Sequence, residues 1–186
     1  MYWRPAFGVK DVSGTQLVEA AFDGDLESFG ELCRRHYAAI AAIAYSVLVD
    51  QQLAEDAAQE TFARALTNLG RLQKPAKLVP WLAAICRNVA RDILKARSRQ
   101  VNTESLSGLS DGDVQDHDTR AVEQAVGRLP ESERDVVVLK YYNGFSYDQI
   151  SAVLGISKPA VNGRLTRAKQ KLTTYLKRSG FLENEK

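Results

Sequence analysis

Residues suited to contact a polyanion are concentrated in two cationic stretches, and the second stretch has the more specific pattern. At about 100° per residue, residues 158–172 form an apolar stripe made of Val161, Leu165, Ala168 and Leu172. Away from this stripe lie residues suited to the base edges of a DNA major groove or to close approach, namely Asn162, Gly163, Arg164, Thr166 and Arg167. Lysines placed for the flanking phosphates are Lys158, Lys169 and Lys171. The pattern predicts a helix that reads duplex DNA.

Local signals before this helix predict a helix-turn-helix. Ser146 and Gln149 form a capping box, Gly155 ends the helix that follows, and Ile156 and Ser157 complete a three-residue turn. The charges of the last helix could instead simply solvate an exposed face, but their coincidence with the turn and the buried stripe favours DNA recognition. Gly163 costs about 1 kcal/mol relative to Ala inside a helix, so close approach to another surface should compensate.

The first cationic stretch, residues 71–99, contains eight basic side chains and only Asp92 as an acidic one. Arg87, Arg91 and Lys95 follow one another at a spacing of four and form a stripe on one side of a helix. Trp81 could stack on an exposed base. Because it is in phase with the apolar residues at 85 and 89, the interpretation that it anchors the core is favoured over base stacking.

A third candidate surface is acidic and precedes the first cationic stretch. Asp56, Gln59 and Glu60 share a face of the predicted second long helix, opposite its apolar residues. They could form a solvated face or a docking face for a protein, and composition alone leaves both interpretations open. An acidic face beside a cationic helix suits a module that contacts protein on one side and nucleic acid on the other.

Composition limits the class of protein. The chain has 186 residues, 45% apolar and 26% charged, with a net charge of +2, which excludes collagen, a coiled-coil rod and a wholly disordered chain. Its charges are segregated, with net +2 over residues 1–99, −6 over 100–135 and +6 over 136–186. Two basic blocks around an acidic middle suggest two separate contacts with a polyanion.

No membrane span, secretion signal or metal site is expected. The most apolar stretch, residues 37–49, is too short for a bilayer, and the amino-terminal residues lack a continuous apolar segment. Cys33 and Cys86 have no metal-ligand spacing, so both are predicted to be buried free thiols in a reducing cytoplasm. We expect no cofactor and no metal.

The elements that position these residues are predicted to be helices, because apolar residues recur at three or four rather than two. The predicted helices cover about 15–22, 26–48, 51–69, 80–97, 122–129, 131–142, 146–154 and 158–177. Asp25 is the expected N-cap of the second helix. The expected inner residues of the third and fourth helices are Phe62, Ala65, Leu66, Leu69, Trp81, Ile85, Val89 and Ile93. Residues 100–118, rich in Ser, Gly and Asp, are predicted to be a linker.

Together the two halves resemble a group IV, extracytoplasmic-function (ECF) sigma factor of bacterial RNA polymerase. The segment AEDAAQETFARAL, residues 54–66, resembles region 2.2 of that family, and WLAAICRNVARDILKARSR, residues 81–99, resembles regions 2.3 and 2.4. Residues 129–172 resemble region 4. The resemblance covers about residues 15–178 and implies two small helical domains, a region 2 bundle and a region 4 helix-turn-helix, joined by a flexible acidic linker.

The resemblance implies a domain division and a set of contacts. The segments are an extension (1–14), region 2 (15–99), a linker (100–118), region 4 (119–178) and a tail (179–186). Core polymerase would be bound through its β′ clamp helices by Asp56, Gln59 and Glu60, and through its β flap by region 4. Residues 70–80 would capture a flipped base of the minus-10 element, whose contacts are Lys74, Lys77, Trp81, Arg87, Asn88, Arg91, Asp92 and Lys95. The minus-35 contacts are Lys158, Asn162, Gly163, Arg164, Thr166, Arg167 and Lys171.

The same resemblance implies a cytoplasmic initiation factor, not an enzyme, regulated by a separate anti-sigma protein because the chain ends soon after region 4. Many relatives have Arg or Lys and Ser where Asn162 and Gly163 stand, so the minus-35 sequence does not transfer. Residues 1–14 match nothing in the family. Two alternatives are a free-standing helix-turn-helix regulator and an enzyme with a DNA-binding tail, such as a recombinase. The sequence argues against the enzyme, because the first half is predicted to be all-helical, His36 and His117 are the only histidines, and no clustered carboxylates match a metal site.

Overall fold

The computed structural model describes residues 14–103 and 117–181, and within these ranges every regular element is helical. The α-helices are α1 (Gly14–Phe22), α2 (Leu26–Leu48), α3 (Gln51–Asn68), α4 (Leu78–Thr103), α5 (His117–Gly127), α6 (Glu131–Val137), α7 (Tyr147–Leu154) and α8 (Lys158–Arg178). Leu69–Arg71 and Pro75–Lys77 are 3₁₀ turns, and Val138–Tyr142 is a π-helical turn that extends α6. The all-α prediction is confirmed. Residues 1–13 of the predicted extension, most of the linker and residues 182–186 lie outside the described residues.

Helices α1 to α4 form the first unit. Asp25 caps α2, because its carboxylate accepts hydrogen bonds from the backbone N–H groups of Glu27 (3.1 Å) and Ser28 (3.3 Å), as predicted. Val49 then adopts a left-handed conformation with φ 52°, and Asp50 caps α3 by accepting from the Leu53 N–H at 3.1 Å. Because a single residue and a cap separate α2 from α3, the two helices pack as an antiparallel hairpin.

The inner faces of α3 and α4 differ in part from the prediction. Leu66 is 42% exposed, and α3 packs mainly through small residues, Ala54, Ala57, Ala58, Thr61 and Ala65, together with Phe62. On α4 the buried residues are Leu78, Leu82, Ala83, Cys86, Val89 and Ala90, whereas Trp81, Ile85 and Ile93 are only half-buried. The predicted stripe therefore faces the core, but the buried surface of α4 is wider than one stripe because α4 packs on α2 and α3 and also on α7. Helix α4 also continues past Arg97 into the predicted linker.

Helices α5 to α8 form the second unit, and its helix-turn-helix is confirmed in detail. The Ser146 hydroxyl accepts from the Gln149 N–H, and the Gln149 side chain accepts from the Ser146 N–H at 2.8 Å, which completes the capping box. Gly155 ends α7 with φ 66°, a conformation that favours glycine. Helix α8 buries Val161, Leu165 and Ala168 as predicted.

The two units pack against each other and share one continuous apolar core, which the sequence did not predict. The Tyr45 ring of α2 stacks on the Tyr142 ring of the π-helical turn, with centroids 5.2 Å apart and planes 12° apart. A Cβ atom at Gly155 would lie 3.4 Å from the Pro80 ring, so α7 closely approaches the start of α4. Helix α4 is therefore covered partly by the second unit.

Cys86 is buried and Cys33 is half-buried, and both are free thiols. The prediction that both are buried thus holds only for Cys86. Burial raises the pKa of each thiol to about 11. Within residues 14–103 and 117–181, no cluster of three or more His, Cys, Asp or Glu side chains could hold a metal ion, and no described helix is long and apolar enough to cross a membrane.

Candidate nucleic-acid interface

Helix α8 presents the predicted duplex-reading residues on its outer side. The Ser157 hydroxyl caps the helix by accepting from the Ala160 N–H at 3.3 Å. Asn162, Thr166 and Arg167 are exposed, while Gly163 and Arg164 are half-buried. With the apolar stripe fixed against the rest of the unit, this outer face is free to enter a groove.

Three basic side chains of α8 lie close to carboxylates of the same unit. Glu133 of α6, whose side chain is 8% exposed, lies 2.9 Å from the Lys171 Nζ and 3.7 Å from the Arg167 Nε. Lys158 forms an ion pair with Asp148 of α7. Arg167 nevertheless remains 59% exposed, so its guanidinium is oriented by Glu133 while staying available on the outer face. Lys171 is paired with Glu133 on α6, whereas the sequence predicted that it contacts a DNA phosphate.

A second candidate contact is a cavity of about 330 Å³ at the start of α4. Its walls are aromatic, cationic and amide side chains with one leucine: Arg71, Leu72, Gln73, Lys74, Lys77 and Trp81. The two 3₁₀ turns place Arg71 and Lys77 at this end of the first unit. Trp81 packs against the core and also lines the cavity, so the core-anchor and base-stacking interpretations are compatible. An aromatic wall within a ring of cations suits an unstacked nucleotide.

The remaining predicted contacts on α4 divide into two groups. Asn88, Asp92 and Lys95 are exposed, and the Asp92 carboxylate lies 3.5 Å from the Arg64 guanidinium. Arg87 and Arg91 instead turn towards carboxylates on α6, and the Arg87 side chain is only 21% exposed. The structure therefore brings Lys74, Lys77 and Trp81 together but does not leave Arg87 free for DNA.

The acidic face of α3 is exposed on the first unit. Asp56, Gln59 and Glu60 all point to solvent, and Glu60 pairs with Arg64 one turn later at 2.6 Å. Among the described residues, α3 packs mainly on α2 and α4 of its own unit. This face can therefore meet a protein while the two units remain packed together.

Comparisons with known proteins agree with this arrangement. The family model for Sigma-70 region 2 matches residues 32–100, and that for Sigma-70, region 4 matches residues 119–172. The chain is 30% identical to the RNA polymerase sigma factor CarQ of Myxococcus xanthus over 88% of its own length and 95% of the relative. This chain belongs to the sigma-70 family of RNA polymerase sigma factors.

Further relatives agree with the family assignment. The chain is 32% identical over 78% of its length to a probable RNA polymerase sigma factor, RfaY, of Xanthomonas campestris, but it spans only 40% of that relative. The structure of CnrH in complex with the cytosolic domain of CnrY matches with a TM-score of 0.60 and 29% identity, covering 89% of this chain and 99% of that one.

Sigma factors bind RNA polymerase and promoter DNA, and the region 2 and region 4 domains fit promoter recognition and transcription initiation. The family consists of initiation factors rather than enzymes. Because the matched regions lie in both halves of the chain, neither the free-standing regulator nor the recombinase is supported.

Sequence reasoning did not single out several residues of these interfaces. Arg71 and Gln73 line the Trp81 cavity, and Ser46, Glu131 and Asp135 contact one another or the arginines of α4. One signal was present in the sequence: Glu131 and Asp135 are four residues apart, as are Arg87 and Arg91, so opposite charges repeat at one helical turn on two different helices.

Proposed function

We propose that this sigma factor is of the ECF type, group IV, and that it confers promoter choice on core RNA polymerase in the cytoplasm. The observation that carries the proposal is that one chain combines a helix-turn-helix, whose last helix exposes polar and basic side chains, with a cationic, aromatic cavity large enough for a single base. We keep the domain division that the resemblance to ECF sigma factors implies, with region 2 over 15–99, a linker over 100–118 and region 4 over 119–178.

At the minus-10 element, the cavity takes a base extruded from the non-template strand. Extruding a base costs a few kcal/mol, and stacking on an aromatic side chain can return about 1 to 3 kcal/mol. Trp81 supplies the stacking surface, while Lys74 and Lys77 neutralise the nearby phosphates. Asn88, Asp92 and Lys95 continue this surface along α4, with Arg87 and Arg91 beside them. Opening of the duplex then needs no nucleotide hydrolysis.

At the minus-35 element, α8 enters the major groove of intact duplex. Asn162, Arg164 and Arg167 offer side-chain groups to base edges, and the short residues Gly163 and Thr166 allow the backbone to come close. Lys158 and Lys171 lie near the phosphates. Because Asn162 and Gly163 depart from common residues of the family, the minus-35 sequence is expected to differ from that of better-known members.

Core polymerase is held by both units. The exposed face formed by Asp56, Gln59 and Glu60 docks on the β′ clamp helices, and region 4 docks on the β flap. A separate anti-sigma protein competes for these surfaces. The complex of the related CnrH with a second protein, the cytosolic domain of CnrY, supports a partner of this kind.

The test is co-purification with core RNA polymerase followed by run-off transcription on a pool of random promoters. We expect the wild-type chain to bind core polymerase and Asp56→Arg to reduce that binding at least tenfold, because it places a cation on an acidic docking face. Glu19→Arg makes the same charge change on α1, where Glu19 is exposed, and should bind as the wild type does. Failure of the wild-type chain to bind core polymerase would overturn the proposed function.

A further inference from the structure

A cluster of charged and polar side chains joins the two units, and we call it the clasp. It consists of Ser46 on α2, Arg87 and Arg91 on α4, and Glu131 and Asp135 on α6. Asp135 lies at its centre with a side chain only 3% exposed. One carboxylate oxygen is 2.7 Å from the Arg87 Nη2, and the other is 2.5 Å from the Ser46 hydroxyl.

Glu131 forms the outer part of the clasp, one helical turn before Asp135. Its carboxylate oxygens lie 2.9 and 3.0 Å from the Arg91 Nη2, and one of them is 3.4 Å from the Arg87 Nε. Arg87 is therefore shared between the two carboxylates of α6, and Arg91 extends the cluster outwards. The two arginines are four residues apart on α4, and the two carboxylates are four residues apart on α6. Each pair therefore lies on one face of its helix, and the two faces can align side by side.

Of the charged members of the clasp only Asp135 is buried, and a partly buried charge cluster of this kind specifies the arrangement of the two units more than it stabilises it. Its members lose water when the units pack together, and their mutual attraction repays that loss only in good geometry. When the units separate, water can again solvate every member. The clasp therefore fixes where region 4 rests on region 2 without making that contact irreversible.

The clasp engages Arg87 and Arg91, which the proposed function places beside the minus-10 DNA. An Arg87 or Arg91 N–H group directed at a carboxylate is not available to a DNA phosphate, and two carboxylates nearby repel the nucleic acid. The exposed faces of α3 and α8 are not involved in the clasp. The packed arrangement therefore permits docking on polymerase and reading of duplex while it covers part of the single-strand surface.

We propose that the packed arrangement is a closed state of the free sigma factor, in which α6 of region 4 withholds Arg87 and Arg91 from the minus-10 element. Capture of the single strand then requires the clasp to open and region 4 to leave α4. The proposal rests on the proposed function for its DNA contacts, but the closed state itself is a property of the isolated chain.

The test compares full-length wild type with Asp135→Ala, without polymerase, by small-angle X-ray scattering and by binding of a fluorescent random-sequence single-stranded oligonucleotide. A compact chain of this length has a radius of gyration of about 16 Å, and we expect the wild type near that value and Asp135→Ala clearly above it. If less than about a tenth of the wild type is open and the variant is fully open, the variant should bind the oligonucleotide at least about tenfold more tightly.

Asp23→Ala is the matched control, since Asp23 is an exposed aspartate between α1 and α2, outside the clasp, and the change removes the same carboxylate. Circular dichroism checks that each variant is folded. Because Asp135 is buried, Glu131→Gln serves as a second variant at a site 34% exposed, and it should show a weaker form of both effects.

An Asp135→Ala chain that is as compact as the wild type overturns the closed state. A chain that expands but binds the oligonucleotide no better than Asp23→Ala overturns the inhibitory role. If no variant, wild type included, binds the oligonucleotide or core polymerase, the proposed function fails, and the scattering comparison still decides whether the clasp holds the units together.

Discussion

His36 is half-buried on α2, and this environment makes the stability of the fold depend on pH. Burial, together with the neighbouring positive charge of Arg35, lowers the pKa of His36 from its ordinary 6.5 to about 4. Between these two values the unfolded chain binds a proton that the folded chain does not. The free energy of unfolding should therefore be at its full value above pH 6.5 and fall as the pH decreases towards 4.

The prediction is a loss of about 2 kcal/mol in the free energy of unfolding between pH 7.5 and pH 5.0, specific to His36. Urea titrations followed by circular dichroism at the two pH values measure it. His36→Gln removes the titrating group, so its loss over the same interval should be smaller by about that amount. The pKa of Asp25 and Glu31 is lowered, so these carboxylates titrate below the window. Equal losses in the two proteins would rule out His36 as the cause.

Single side chains also show where sequence reasoning succeeded. The exposed residues of α8 could be predicted from the period of its apolar residues, because that helix packs on one side only. Trp81 was ambiguous, since the same residue packs on the core and lines a cavity formed by turns that precede it. The ion pair of Arg87 with Asp135 was not predicted, because Asp135 lies in the other half of the chain.

Two glycines of the helix-turn-helix should respond in opposite directions to the same substitution. Gly155→Ala forces a side chain into a conformation with φ 66° and places it against Pro80 at 3.4 Å, so it should destabilise the fold by about 1 to 2 kcal/mol. Gly163 lies inside α8, where a new Cβ atom would meet only the Arg167 guanidinium at 3.5 Å. Gly163→Ala should therefore stabilise by about 1 kcal/mol.

Urea unfolding of both variants beside the wild type checks this pair, and each serves as the control for the other. If Gly163→Ala were as destabilising as Gly155→Ala, the interior of α8 could not be the regular helix described above. Its glycine would then be required by the fold itself rather than by approach to DNA.

At the scale of elements, features set by neighbours in sequence were predictable. The Asp25 cap, the capping box of Ser146 and Gln149, and the left-handed Gly155 each depend on residues a few positions away. The full set of buried residues on α4 was not predictable in the same way, because α4 also packs on α7, which lies far along the chain. The π-helical turn after α6 likewise has no simple local pattern, although its end at Tyr142 was expected.

At the scale of the whole molecule, the shared core predicts that the two units unfold together. Trp81 packs against the core on α4, so its fluorescence reports on the first unit, whereas far-ultraviolet circular dichroism reports on all helices. Urea curves from the two signals should coincide for the wild type, as expected of one cooperative transition. Separate midpoints would show that the core between the units contributes too little to couple them.

The helix ends at Thr103 and His117 limit how far the two units can move apart once they separate. The tether between them is residues 104–116, shorter than the sequence alone suggested, and a fully extended backbone of that length reaches about 50 Å. At about 3.4 Å per base pair, this corresponds to roughly 15 base pairs of straight DNA. If the two units occupy the two promoter elements as proposed, this covalent reach sets an upper limit on the distance between those elements along the helix axis.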